Sequence, residues 1–361
     1  MITQQESRSI SSLKVIFCFL IIFLHAHYHI PNVESASDVG SAVFGLQKFI
    51  RGYFSTFLCD IAIPGFALIS GYLFFATADF SKTTYLKKIQ NRVFTLLIPY
   101  IVWNLIIFAG DVALVFLGKI NLVNSTKWNF LNVMNIFWSI KGNGAGTCPY
   151  NGPLWYIRDL FILCLLTPAI YPLLKVKFVK HVFFVILLIA VFVNVPHIYH
   201  NERIFTVYFC FGGFFALNQI RIFANSKRTV SKILLTGANM LYFANYFELT
   251  ELPREVLKQF FVLCALLALP SIAFKYLQKE KIVGLASGTF FIYCMHNSFL
   301  AMLGPLVKGQ SSAVYLAYYL SLPVLDFVVG YVMYLGIKKI DNPVLNLLLL
   351  GKRKTFTNSL T

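Results

Sequence analysis

His25 lies eleven positions after Lys14, and both are in the apolar run Ser11–Ile30. On a helix that spacing is about 16 Å of rise, and the two side chains fall within roughly 20° of one face. A cation in one half of a membrane span and an imidazole in the other would suit an anionic donor that enters from one side and reacts near the other. The alternative is a lysine snorkelling to the interface and an interfacial histidine. A second basic cluster, Lys82 with Lys87, Lys88 and Arg92, runs straight into Val93–Tyr100. Arg92 at the membrane boundary could clamp the phosphates of a nucleotide-like donor. The same residues also serve plain positive-inside orientation.

Three further stretches place polar side chains where hydrocarbon is expected. Pro153-Leu154-Trp155-Tyr156-Ile157-Arg158-Asp159 carries an adjacent Arg and Asp near a span start. Helical neighbours do not face each other, so each is expected to pair with another helix. Ser287–Asn297 places His296 inside a late span, either as a core histidine bonded across helices or as part of a site. Asp60, Asp111 and Asp326 also lie within spans. Asp60, ahead of a Pro- and Gly-bearing stretch, could orient a histidine. His27 and His29 diverge from each other on a helix and lack acidic or Cys partners at ligand spacing, so no metal is expected. No Gly-x-Ser-x-Gly elbow occurs, so a lipase-type triad has no support. Gly142–Gly146 lacks the Lys-Ser/Thr of a P-loop and reads as a loop outside the cytoplasm or a lid over an acceptor.

The elements that must position these residues follow from composition. Of 361 residues 58% are hydrophobic and only 12% charged, against about 25% charged in a soluble domain. Most soluble classes are excluded, and 37 Phe with 19 Tyr exclude disorder. The net charge of +17 would suit nucleic acid, but the cations sit in short clusters between apolar runs, so no nucleic-acid partner is expected. The seven cysteines show no C-x-x-C spacing. The first run has no small-residue cleavage site and reads as a retained span.

Ten runs approach the roughly 20 residues a crossing helix needs: Ser11–Ile30, Ser55–Phe75, Val93–Leu117, Pro153–Leu174, Val182–Val195, Ile204–Ile220, Ile233–Phe247, Val256–Tyr276, Leu285–Leu303 and Ala313–Ile337. The fifth to seventh are short or polar at their ends. With a cytoplasmic N-terminus, 21 of the 31 Lys and Arg fall in cytoplasmic segments and 9 outside. The expectation is an all-α, polytopic membrane helical bundle of about ten transmembrane helices, with both termini cytoplasmic. One transmembrane domain covers 1–340, and 341–361 form a short cytoplasmic or interfacial tail.

Five stretches, in order, resemble the acyltransferase family 3. Lys14 and His25 match a basic residue, ten residues and a His. Phe66–Leu73 resembles F-x-x-x-S-G-Y/F-L. Arg92 with Leu96–Tyr100 resembles a basic stretch before L-x-x-P-Y. Pro153–Arg158 is similar to the L-W-F-L/I span start, and Ile292–Asn297 to I-Y-x-x-H. Two positions depart from the pattern: Thr95 stands where many members have a second Arg, and Lys14 where Arg is commoner. No C-terminal esterase-like domain is expected.

The resemblance implies a multi-pass protein of a bacterial inner membrane. It would move an acyl group, most often acetyl from acetyl-CoA, to a hydroxyl of a glycan or lipid-linked sugar. Lys14, Arg92 and Lys88 would hold the donor, and His25 would act as general base or transient acyl carrier. Arg158 and His296 would orient the acceptor or steady the oxyanion. Membrane lipid surrounds the chain, and a homo-oligomer is left open. A glycan exporter or flippase without acyl chemistry is the competing class. A membrane-bound O-acyltransferase of the His–Asn type is a third, for which His296-Asn297 is a hint and the first-span motif a counter-argument.

Overall fold

The computed structural model describes residues 2–76, 80–118, 137, 149–193, 200–224, 229–246 and 253–352. All regular elements among the described residues are helical. The glycine-rich stretch 142–147 and the tail residues 353–361 lie outside them.

Helix α1, Gln4–His29, is started by a capping box in which the Thr3 hydroxyl accepts from the Glu6 amide and Glu6 accepts from the Thr3 amide. The run expected from Ser55 to Phe75 holds a tight turn over Leu58–Ile61 and α3 (Ala62–Phe75), and it is preceded by a helix outside every expected run, α2 (Ala42–Thr56), of which it contains only the last two residues. Helix α4, Lys82–Arg92, is N-capped by Ser81. A π turn, Val93–Leu97, joins α4 to α5, Ile98–Phe116. The turn has a local cause. Pro99 has no N–H to give Thr95, four residues earlier, and its ring would crowd that carbonyl. Gly351 fills the space: a Cβ there would lie 2.6 Å from the Thr95 oxygen.

The chain continues with α6 (Trp155–Lys175), α7 (Val179–Phe192), α8 (His200–Leu217), α9 (Thr229–Tyr246) and α10 (Arg254–Tyr276). Then come α11 (Glu280–Leu285), α12 (Thr289–Leu303), α13 (Ser312–Ile340) and α14 (Pro343–Leu350). Seven segments among the described residues are long and apolar enough to cross a membrane: α1, α2–α3, α4–α5, α6, α10, α12 with its short extension, and α13. Helix α7 is apolar but only 14 residues long.

Helix α1 is the hub, in contact with α2, α3, α10, α11, α12 and α13. Helices α3 and α8 cross at backbone contact. A Cβ on Gly71 would lie 2.0 Å from the Phe209 carbonyl oxygen, and one on Gly212 would lie 2.1 Å from that of Leu68. Small residues allow such approaches where water supplies no hydrophobic drive between helices. Val324, Val328, Val332 and Leu335 of α13 point outward, the face a lipid-exposed helix needs.

Candidate functional site

The single long helix α1 sets the site's axis. Its C-terminal carbonyls are held by Arg51 of α2, a buried guanidinium that donates to the carbonyls of His27, Ile30 and Pro31 at 2.9–3.3 Å. A cation on orphan carbonyls is the favourable end of the helix dipole. Arg51 thereby fixes the turn that carries His25.

The structure brings His25 and His296 together. Their rings lie 4.9 Å apart, edge to face, although 271 positions separate them in sequence. His296 is fully buried on α12. Its Nδ1 lies 2.7 Å from the Tyr293 carbonyl oxygen, which can only accept, so Nδ1 carries the proton. Nε2 of the neutral ring is then a bare acceptor, and it has no hydrogen-bond partner among the described residues. His25 is half-buried, and neither of its ring nitrogens has a hydrogen-bond partner among the described residues. Beside this pair, His29 Nε2 meets Asn297 Oδ1 at 2.8 Å, a contact that ties α1 to α12 a second time.

At the other end of α1 the structure gathers the three cations. Lys14 and Arg92 are within electrostatic reach of each other. Arg92 and Lys88 both bring positive charge close to Cys164. Lys14 and Arg92 are half-buried and form no ion pair among the described residues. Lys88 donates to the Phe74 carbonyl at 2.7 Å and stands over the rings of Phe74 and Phe80. Phe80 is stacked on Tyr171, centroids 4.5 Å apart. Both rings line a cavity of about 530 Å³ with Tyr72, Lys175 and Arg221. Arg221 pairs with Glu6 at 2.7 Å, and that pair raises the guanidinium further above its ordinary value.

Between the two ends runs a line of aromatic and polar groups. Ser70 and Tyr156 share a hydrogen bond of 3.3 Å, Tyr156 lies 6.2 Å from Tyr293, and Tyr293 lies 5.6 Å from His296. The Tyr293 hydroxyl donates to the Pro153 carbonyl. Arg158 has the expected partner on another helix, Glu202 of α8, and departs from expectation in also pairing with its neighbour. It is buried and pairs with its own neighbour, Nε to Asp159 at 2.7 Å, as well as with Glu202 at 3.8 Å. The flexible stem of Arg curls along the helix rim, a cheaper arrangement in a low-dielectric interior than leaving two charges apart. Asp60 differs too. It holds Lys258 at 2.7 Å. Asp111 accepts from Tyr150 at 2.7 Å. Asp326 is fully buried beside Cys18, with no hydrogen-bond partner among the described residues.

Residues 7–337 match the family model described as an acyltransferase domain, Acyl_transf_3. The chain belongs to the acyltransferase family 3. It is also 26% identical over 166 residues to the succinoglycan biosynthesis protein ExoH of Rhizobium meliloti (strain 1021). That alignment covers 45% of this chain and 42% of the relative, so the chain spans less than half the length of the curated relative it matches. No solved structure matches.

The acyltransferase-3 motifs now have physical meanings. Ser70-Gly71-Tyr72 supplies a hydroxyl to Tyr156, a backbone contact with α8 and a cavity wall. Leu96–Tyr100 holds the proline that makes the π turn after Arg92. Thr95, at the position where Arg is common, lies within that turn, and its hydroxyl is buried. Sequence reasoning missed Arg51 and Lys258, and it gave Tyr293 no role beyond its place in a motif. Arg51 was readable only as a cation outside a span, and its carbonyl partners come from another helix.

Proposed function

We propose that this chain is an integral-membrane acyltransferase. It takes an acyl group, acetyl as the simplest case, from cytoplasmic acyl-CoA and places it on a hydroxyl of a surface polysaccharide or lipid-linked sugar. One observation carries the reading: the face of α1 presents a cation without a carboxylate partner among the described residues, Lys14 beside Arg92, at one end and His25 against His296 at the other. Half-buried cations of that kind favour an anion. Family membership supports the reaction class, and the printed role of ExoH in succinoglycan biosynthesis supports a polysaccharide acceptor.

In this reading ten helical segments cross the inner membrane of a bacterium, the seven long ones with α7, α8 and α9, and both termini face the cytoplasm. Lys14, Arg92 and Lys88 hold the donor's phosphates. The thioester lies along the aromatic line towards His25. The acceptor's O–H proton passes to His25 as its oxygen attacks the thioester carbonyl. The C–S bond then breaks, and the departing thiolate takes the proton back. Once substrate is bound, a small turn of the ring lets one His25 nitrogen donate to the bare Nε2 of His296 and leaves the other as the base. Arg158, already engaged by Asp159 and Glu202, is a positioning residue that braces the start of α6 against α8.

The test uses the full chain in lipid nanodiscs with isotope-labelled acetyl-CoA and a soluble glycoside. Labelled ester on the glycoside is expected from wild type, with His25→Ala losing it. A wild-type protein that neither transfers nor hydrolyses the donor, in cells where its loss stops glycan export, would place the chain with the exporters instead.

A further inference from the structure

A second cavity, about 470 Å³, opens at the C-terminal end of α1. Its wall includes Tyr28, Asp60, Arg203, Glu255 and Lys258. His25 and His296 do not line it, but the ring of Tyr28 lies 6.4 Å from that of His25, and Tyr28 is 72% exposed. The charges of this wall cancel. Lys258 lies 2.7 Å from Asp60 and 3.5 Å from Glu255. Arg203 is turned to the end of α7, where it donates to the carbonyls of Ala190 and Val193.

An anionic or cationic ligand would find its counter-charge already engaged here and would lose hydration without compensation. A neutral polyol loses far less. Each carboxylate accepts about four hydrogen bonds, so Glu255, with its side chain 69% exposed and one oxygen near Lys258, has acceptor capacity left for hydroxyls. Charge-assisted O–H to carboxylate bonds are the strong ones available to a sugar. The exposed Tyr28 ring gives the flat apolar surface on which the C–H face of a pyranose rests. Cavities of this size class bury small ligands with few, well-placed polar groups.

We propose that this cavity is the acceptor site and that it takes an uncharged pyranose with vicinal hydroxyls, stacked on Tyr28 and held by Glu255, with its reacting hydroxyl turned towards His25. The assignment rests on the acyltransferase reading above, but its test reads occupancy without turnover.

Saturation-transfer NMR on the full chain in nanodiscs would compare methyl glucoside with methyl glucuronide and methyl glucosaminide. Methyl glucoside is expected to give the strongest signal, and its affinity is expected to fall about tenfold in Tyr28→Ala and in Glu255→Gln. Tyr28→Phe keeps the stacking surface and should bind as wild type does. Unchanged melting temperatures in these exposed-site variants would exclude unfolding as the cause. Equal binding by wild type and both variants, or preference for the glucuronide, would overturn the proposal. Glucoside binding with no acyl transfer would retain the cavity as a sugar site and sink the acyltransferase reading. Transfer without glucoside occupancy would do the reverse.

Discussion

The two ends of α1 are built from many of the same helices and differ in how their charge is compensated. At the N-terminal end Arg221 is paired with Glu6, but Lys14, Arg92 and Lys175 form no ion pair among the described residues, and aromatics share the wall of the neighbouring cavity. At the C-terminal end, Lys258 is matched by Asp60 and Glu255, Arg51 and Arg203 are turned to backbone carbonyls, and two neutral-capable rings meet. Uncompensated charge marks a place for a ligand of opposite sign. Compensated charge beside an imidazole marks a place where a neutral hydroxyl can be held and deprotonated. The contrast tells more about function than the +17 net charge, which by itself singles out no site.

Four changes would break or sharpen this contrast. The largest effect is expected from His25→Ala, which removes the base from one end only. Acyl transfer should fall by about 10²–10⁴-fold while acyl-CoA still binds, measured by product formation and equilibrium binding on the same preparation. Arg92→Ala acts at the other end. Donor affinity should drop about 10–100-fold, the loss of one charge-assisted contact, and Arg92→Lys should restore part of it because a point charge replaces a planar fork.

Gly71→Ala should spare the distinction between the ends and weaken the bundle as a whole. The added methyl meets the Phe209 carbonyl, and thermal unfolding in detergent should show a loss of about 1–3 kcal/mol.

The smallest effect concerns the loop after α1. Ser312, at the start of α13, donates through its hydroxyl and its amide to Asp38, both at 2.7 Å, and these bonds with that of Ser41 hold the carboxyl below its ordinary value. A lowered native value means the stabilisation is complete above the usual Asp range and fades as pH falls through the native value. Melting temperatures of wild type and Asp38→Asn should therefore converge on acidification below about pH 4, the ordinary Asp range.

How much of this was legible in the sequence depends on the range of each interaction. The shared face of Lys14 and His25 follows from helical periodicity alone, and the all-helical membrane class follows from composition. The meeting of His25 with His296, and of Asp60 with Lys258, depends on which helices pack together, and one sequence without relatives holds no record of that. The rule that helical neighbours do not face each other misled at Arg158-Asp159, because it describes Cβ directions and not a long side chain that folds back. Helix α2 was missed because Gln47, Lys48 and Arg51 interrupt the apolar run that marks a span. The glycine-rich stretch 142–147 lies outside the described residues.

The central claim is that His25 ends a path along which an acyl group reaches a surface sugar. Mass spectrometry of surface glycans tests it most directly, in cells lacking the gene that are supplied with wild type or with His25→Ala at equal membrane abundance. An acyl-sized ester that returns with wild type and stays absent with His25→Ala is the predicted result. Glycans equally acylated in both, or unacylated in both, would contradict it.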